Sequence, residues 1–119
     1  MTPLRRAHKY GAIATEVNGI RFHSRKESRR YQELLLLEKA GEIRKLELQP
    51  KFPLYVPVLL GSIAGRVPVG SYIADFRYRS GPKGLLVIED VKSTPTKTAL
   101  YRLKKKMVEA TYNIVITEV

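Results

Sequence analysis

The sequence predicts one α/β domain in the order α-β-β-β-α-β, a central mixed sheet flanked by helices. Three observations predict it. Two stretches, 24–41 and 93–111, combine helical spacing of apolar residues with helix-start chemistry. Between them lie β-branched and aromatic runs separated by Gly and Pro clusters. A last β-branched run, 114–119, follows the second helix, and the order strand, helix, strand favours a parallel crossover. A chain of 119 residues has room for one real core and not for two.

Residues 1–10 carry Arg5, Arg6, His8 and Lys9 near a proline and read as a basic arm or a merely solvated terminus. Around Val17-Asn18-Gly19-Ile20 the Asn-Gly pair is a strong hairpin signal, so residues 1–21 form a basic N-terminal arm and hairpin ahead of a domain at 22–119. Ser24 starts the first helix. Ser24-Arg25-Lys26-Glu27 has capping-box spacing, and Gly41 is placed just past the end. Glu27 thus has a structural explanation, yet it shares a helical face with Tyr31, Leu34 and Leu35 and points toward the core.

Glu42 to Val58 reads as one long strand or a bent pair, interrupted by Pro50 and Pro53, which imply an edge or a bulge. Residues 61–70, rich in Gly, are expected to be a loop. The Tyr72-Ile73-Ala74-Asp75-Phe76 strand and the Leu85-Leu86-Val87-Ile88 strand are joined by a Ser80-Gly81-Pro82-Lys83-Gly84 turn into an antiparallel hairpin. Ser93-Thr94-Pro95-Thr96 supplies caps for the second helix. On that helix Leu100, Leu103, Met107 and Ala110 are expected to be the buried stripe, with Lys97, Tyr101, Lys104 and Lys105 on an adjoining face.

The chemistry concentrates where the strands end in charge. Leu85 to Ile88 continues directly into Glu89-Asp90-Val91-Lys92, with Asp90 and Lys92 on one face and Glu89 on the other. Asp75 is a lone carboxylate inside an apolar, aromatic strand. An isolated buried charge must be paired or coordinate a metal. One reading is an ion pair of Lys92 with Asp75 or Asp90. The other is a hard-cation site, with the Lys92 ammonium acting on a water or phosphate beside it.

Composition narrows the classes. The absence of cysteine excludes disulfides and thiolate metal sites, and two histidines make a histidine-rich zinc site a poor reading. No segment is long and apolar enough to span a membrane or to act as a signal peptide, so a cytoplasmic protein is expected. Lys and Arg number 22 against 11 Asp and Glu, a formal +11, which points to a polyanionic partner, nucleic acid first.

Asp, a spacer with a turn, then Asp-x-Lys resembles the signature of the PD-(D/E)XK nuclease superfamily. Asp75 matches the first acid, Asp90 the second and Lys92 the lysine, while Ala74 stands where the family label has proline. Phe22-His23-Ser24-Arg25-Lys26-Glu27-Ser28-Arg29-Arg30-Tyr31 resembles the opening helix of a phage family related to Holliday-junction endonucleases. In that family a glutamate on this helix completes the metal site, and Glu27 is the matching position. Leu48-Gln49-Pro50-Lys51-Phe52 resembles the same family and brings Gln49 toward the site.

This resemblance covers Phe22 to the carboxy terminus and implies a restriction-endonuclease-like core and a Mg²⁺-dependent DNA endonuclease, with Mn²⁺ suited to the same oxygen ligands. It further implies action on branched DNA in a phage or prophage, in the cytoplasm of a bacterial host. Asp75, Asp90 and Glu27 would be the metal ligands, helped by the Val91 carbonyl, and these three with Lys92 the catalytic set. Arg5, Arg6, Lys9, Arg25, Lys26, Lys97, Tyr101, Lys104 and Lys105 are the expected DNA contacts, and a homodimer matches the two-fold symmetry of a four-way junction. Two alternatives remain open: a non-catalytic basic nucleic-acid-binding module, and a linear-duplex or transposon-end nuclease with the same centre.

Overall fold

The computed structural model describes residues 15–119, so Arg5, Arg6 and Lys9 lie outside the described residues. The elements are β1 (Thr15–Val17), β2 (Ile20–Phe22), α1 (Arg25–Lys39), β3 (Ile43–Leu48), β4 (Lys51–Leu60), β5 (Ile63–Ile73), β6 (Phe76–Ser80), β7 (Leu85–Asp90), a 3₁₀ turn (Thr94–Thr96), α2 (Ala99–Tyr112) and β8 (Ile116–Glu118). The fold is mixed α/β, with two α-helices and three β-sheets among the described residues.

The central sheet runs β3-β6-β7-β8, with β7 and β8 parallel and the other neighbours antiparallel. The two helices and these four strands follow one another in the expected α-β-β-β-α-β order. One face of the sheet is covered by α1, which packs Tyr31 and Leu34 with Phe22, Ile43, Phe76 and Tyr78. On the opposite face Tyr101 and Val108 of α2 meet Ile88, Ile116 and the base of the β4–β5 hairpin, Phe52, Leu54 and Tyr72.

Local chemistry sets the joints. Asn18 and Gly19 take the positive φ values, 51° and 78°, that a tight hairpin turn requires. Ser24 accepts the Glu27 N–H at 3.1 Å and caps α1. At its other end Glu42 N–H returns to the Leu37 carbonyl and Gly41 N–H, with φ of 81°, to Glu38, a Schellman closure. Gln49, at φ 51°, turns the chain out of the central sheet. Its N–H donates to the Asp75 carbonyl at 2.9 Å, so the outgoing and returning strands of the β4–β5 excursion are tied together at its root.

Three expectations are corrected here. Residues 61–70 are not a loop: after a two-residue turn at Gly61-Ser62 the chain returns as β5, paired along the whole of β4. Gly65, Pro68 and Gly70 lower its strand propensity, but pairing with the β-branched Val56, and a bulge opposite Leu54 and Tyr55, accommodate them. Ser93 to Thr96 makes only a 3₁₀ turn, and Thr98 caps α2 by accepting the Tyr101 N–H at 3.1 Å. The buried stripe of α2 is Tyr101 and Val108; of the expected residues Met107, half-buried, packs against this core, whereas Leu100 and Leu103 are 61% and 56% exposed and Ala110 is exposed. Both sets have helical spacing; the sheet below selects the phase that seats an aromatic ring beside Tyr72.

Candidate functional site

Three elements deliver three carboxyl groups to one end of the sheet. Glu27 comes from the first turn of α1, Asp75 from the break between β5 and β6, and Asp90 from the last position of β7. Phe76 pairs with Glu89, and Asp75 N–H extends that ladder to the Glu89 carbonyl at 3.1 Å, which sets Asp75 beside Asp90. Glu27 and Asp90 are buried, at 8% and 3% exposure. Glu27, Asp75, Gln49 and Lys92 line a cleft of about 460 Å³. A larger cleft, about 580 Å³ beside Ile43, Tyr78 and Pro82, has only Glu42 and Arg44 as charged lining.

The carboxyl groups raise one another's proton affinity. Burial pushes Asp90 up to about 7, reinforced by a hydrogen bond with Asp75 and by its charge, against the pull of Tyr72 and Lys92. Asp75 also lies above the ordinary carboxylate range through burial and then the charge of Glu27, while the hydrogen bonds from Asp90 and the Val91 N–H oppose the shift. Burial, and next Asp90, raise Glu27. Ionised carboxylates only accept hydrogen bonds, so the Asp75 to Asp90 bond requires a proton between them. Among the described residues no three His, Cys, Asp or Glu side chains stand as a ready-made cation cage. What the cluster offers is an oxygen-only donor set whose negative charges repel, the chemistry a hard divalent cation relieves in place of protons.

Neighbouring groups fix each oxygen. The Val91 N–H donates to Asp75 Oδ2 at 2.7 Å, and the buried Tyr72 hydroxyl donates to Asp90 Oδ2. Burial, then the bond to Asp90, raises the Tyr72 phenol, which keeps it a donor. Lys92 Nζ is 3.8 Å from Asp90 Oδ1 and 4.4 Å from the centroid of the Tyr101 ring, a cation–π seat. The helix is held to the strand on either side of Glu27. Lys26 Nζ donates to the Lys92 carbonyl at 2.8 Å, and Arg30 forks onto Glu89, Nε to Oε1 at 2.8 Å and Nη2 to Oε2 at 2.6 Å.

The model of a family described as Protein of unknown function (DUF1064) matches residues 7–118. The chain belongs to the DUF1064 family. No curated protein and no solved structure matches it. The family description carries no activity, so what this DUF1064 member does rests on its own geometry.

Of the residues singled out in the sequence, Glu27, Asp75, Asp90 and Lys92 converge as described, and Gln49 lines the same cleft. Tyr101 does not stand on a surface for a base to stack on. It is 7% exposed, its ring supports Lys92, and its hydroxyl donates to Glu118 at 2.7 Å. Lys97 is paired with Glu118 at 3.2 Å and Lys105 with Glu109 at 3.8 Å, on the wall of a cleft that also contains Arg102 and Lys106. Arg25 is exposed at the start of α1, and Lys104 is half-buried on α2.

Sequence reasoning missed Tyr72, the donor to Asp90, and gave Glu89 no role. Alternation already placed Glu89 on the face opposite Asp90 and Lys92; the structure puts α1 on that face, with Arg30, one turn beyond Glu27, as its partner.

Proposed function

We propose that this protein is a divalent-cation-dependent DNA endonuclease with a restriction-endonuclease-like core, structure-selective for branched DNA such as Holliday junctions, acting in a phage or prophage. One observation carries the reading: three carboxyl groups from three elements, Glu27 and Asp90 buried and Asp75 half-buried, press on one another beside Lys92, in a chain of formal charge +11. A purely structural cluster gains nothing from three mutually repelling acids, since one lysine at 3.8 Å from Asp90 offsets a single charge. Clusters of this kind, with perturbed proton affinities in a cleft, are functional-site candidates.

Glu27, Asp75 and Asp90 would hold Mg²⁺, or Mn²⁺ with the same oxygens, in one or two positions. The bound cation would supply an acidified water and neutralise charge on the scissile phosphate. The chain's own contributions follow from the contacts. Val91 N–H and Tyr72 each occupy one oxygen, Oδ2 of Asp75 and Oδ2 of Asp90, and Oδ1 of Asp90 faces Lys92 at 3.8 Å. Lys92, held against the Tyr101 ring, has room to donate to the attacking water or to a non-bridging phosphate oxygen as charge builds there. Hydrolysis in this way breaks the P–O3′ bond and leaves a 5′-phosphate. Arg25 beside the cleft, and the Arg102 and Lys106 wall of α2, are cations suited to the phosphate backbone.

The 3.8 Å Lys92 to Asp90 pair is the observation that favours the other reading, a non-catalytic basic nucleic-acid-binding module. Incubation with linear, forked and four-way DNA, with Mg²⁺, Mn²⁺ or chelator, separates the two. Expected is cation-dependent cutting of branched DNA, lost in Asp75→Asn, Asp90→Asn and Lys92→Ala, with DNA binding kept in all three. Binding without cutting of any substrate sinks the nuclease, and preferential cutting of linear duplex moves the centre to the linear-duplex or transposon-end class.

A further inference from the structure

The register of the β4–β5 hairpin sorts its side chains onto two faces, because directly paired residues point the same way. Phe52, Leu54, Val56 and Leu60 share one face, with Tyr72, Val67 and Ile63 opposite them. At the root this face is core: Phe52, Leu54 and Tyr72 are buried. Further out the same stripe leaves the molecule behind, with Val56 41%, Val67 45%, Ile63 72% and Leu60 74% exposed. The hairpin's charges, Lys51 and Arg66, belong to the other face, where Arg66 lies over the Tyr55 ring at 4.3 Å. The core therefore continues as an uncharged apolar stripe onto an arm in water.

We propose that this stripe packs against the same stripe of a second copy, so that the hairpin is the arm of a homodimer. A two-fold contact brings each patch onto itself, so a patch with a net charge meets the same net charge. In a chain of +11 a stripe without charged side chains escapes that repulsion. The same lack of charge argues against nucleic acid as the occupant, since a polyanion finds no counter-charge there.

Edge-to-edge strand addition is disfavoured by Pro53, Pro57 and Pro68, which remove donors from the two edges and leave the face as the contact. Gly65 thins the stripe opposite Val58, where an added Cβ would meet only Val58 at 3.9 Å, so two ribbons can approach closely. The six residues of β4 beyond Leu54 reach about 20 Å. A patch of that length falls short of the roughly 800 Å² per partner of a standard interface, so the pairing is reversible. It deepens the nuclease reading by giving a junction two centres, but it is read by mass and stands or falls apart from cleavage.

Sedimentation equilibrium of the full chain over a concentration series, in salt high enough to screen its charge, is the test. The wild type is expected to pass from 13.6 kDa to twice that mass. Leu60→Lys with Ile63→Lys should hold it at the single mass, while Leu59→Lys, 70% exposed on the other face, should leave the twofold rise intact. These positions are exposed, and an unchanged circular dichroism spectrum certifies the fold of each variant. A wild type that stays monomeric at every concentration overturns the proposal, as does a dimer indifferent to the Leu60 and Ile63 changes, or one lost equally in Leu59→Lys. A dimer that cuts nothing leaves it standing and removes the nuclease instead.

Discussion

Replacing Arg30 by Met should cost far more stability than neutralising its partner by Glu89→Gln, although both break the same ion pair. The asymmetry lies in what each change strands. Glu89 is 1% exposed and keeps only the Tyr78 hydroxyl once the guanidinium is gone, so a charge is left in the core. Arg30 is 22% exposed and has a second partner in Glu33 at 2.9 Å, so it stays solvated and paired when Glu89 is neutral. Stranding a buried charge costs about 3–5 kcal/mol. Weakening the fork to a neutral acceptor costs about 1–2 kcal/mol. For a domain of this size that is a fall in melting temperature of roughly 10–20 °C for Arg30→Met against a few degrees for Glu89→Gln. The double variant should melt well above Arg30→Met alone. Thermal denaturation by circular dichroism of the three proteins at one pH gives the comparison. Equal small losses in both single variants would refute the argument that Arg30 holds a desolvated charge in place.

Proton and cation linkage gives a second expectation: Asp90 titrates near 7 in the fold against about 4 unfolded, and Glu27 and Asp75 are raised with it, so the native state binds the extra protons. Their stabilisation is complete below the unfolded value and is lost as pH rises through the folded one. The melting temperature should therefore decline between about pH 4 and 8, and Mg²⁺ or Mn²⁺ should restore it at pH 8 more than at pH 5. Asp90→Asn should flatten the decline and remove the cation response; an unaltered melting curve with saturating Mn²⁺ at pH 8 contradicts the linkage. Glu27→Gln should keep the Ser24 cap, which uses the backbone N–H, and remove a desolvated charge, so it should melt no lower than the wild type at pH 8 while losing cleavage; full activity would reduce Glu27 to a structural acid. Tyr101→Phe keeps the ring beneath Lys92 and removes the hydroxyl's bonds to Glu118 and Tyr72, so a loss of about 1–2 kcal/mol with cleavage retained is expected, whereas Tyr101→Leu should impair cleavage as well.

How far the sequence reaches depends on whether a signal is local. Ser24, Asn18-Gly19 and Gly41 act within a few residues, and the joints they predict are present. The charged ends of apolar strands were equally legible, because a carboxylate at Asp75 or Asp90 must be paired or hold a cation to interrupt such a run. Tertiary selection hid the rest. The α2 sequence offers two apolar phases, and only the sheet beneath decides for Tyr101 and Val108, which is why Tyr101 read as a surface ring. The return strand β5 was hidden by its glycines and proline, since the pairing that makes it a strand is supplied by β4. Tyr72 as the donor to Asp90 depends on that same hairpin folding back, 18 residues away in sequence.

The root of the hairpin has a mechanical consequence. The arm and the acidic cluster share backbone: Tyr72, which holds Asp90, is part of β5, and Asp75 is the second residue after its last. Gln49 ties the outgoing strand to the Asp75 carbonyl as well, so the arm is hinged at the very peptide that carries an acid. Any displacement of the arm's root is therefore also a displacement of the backbone that carries Tyr72 and Asp75.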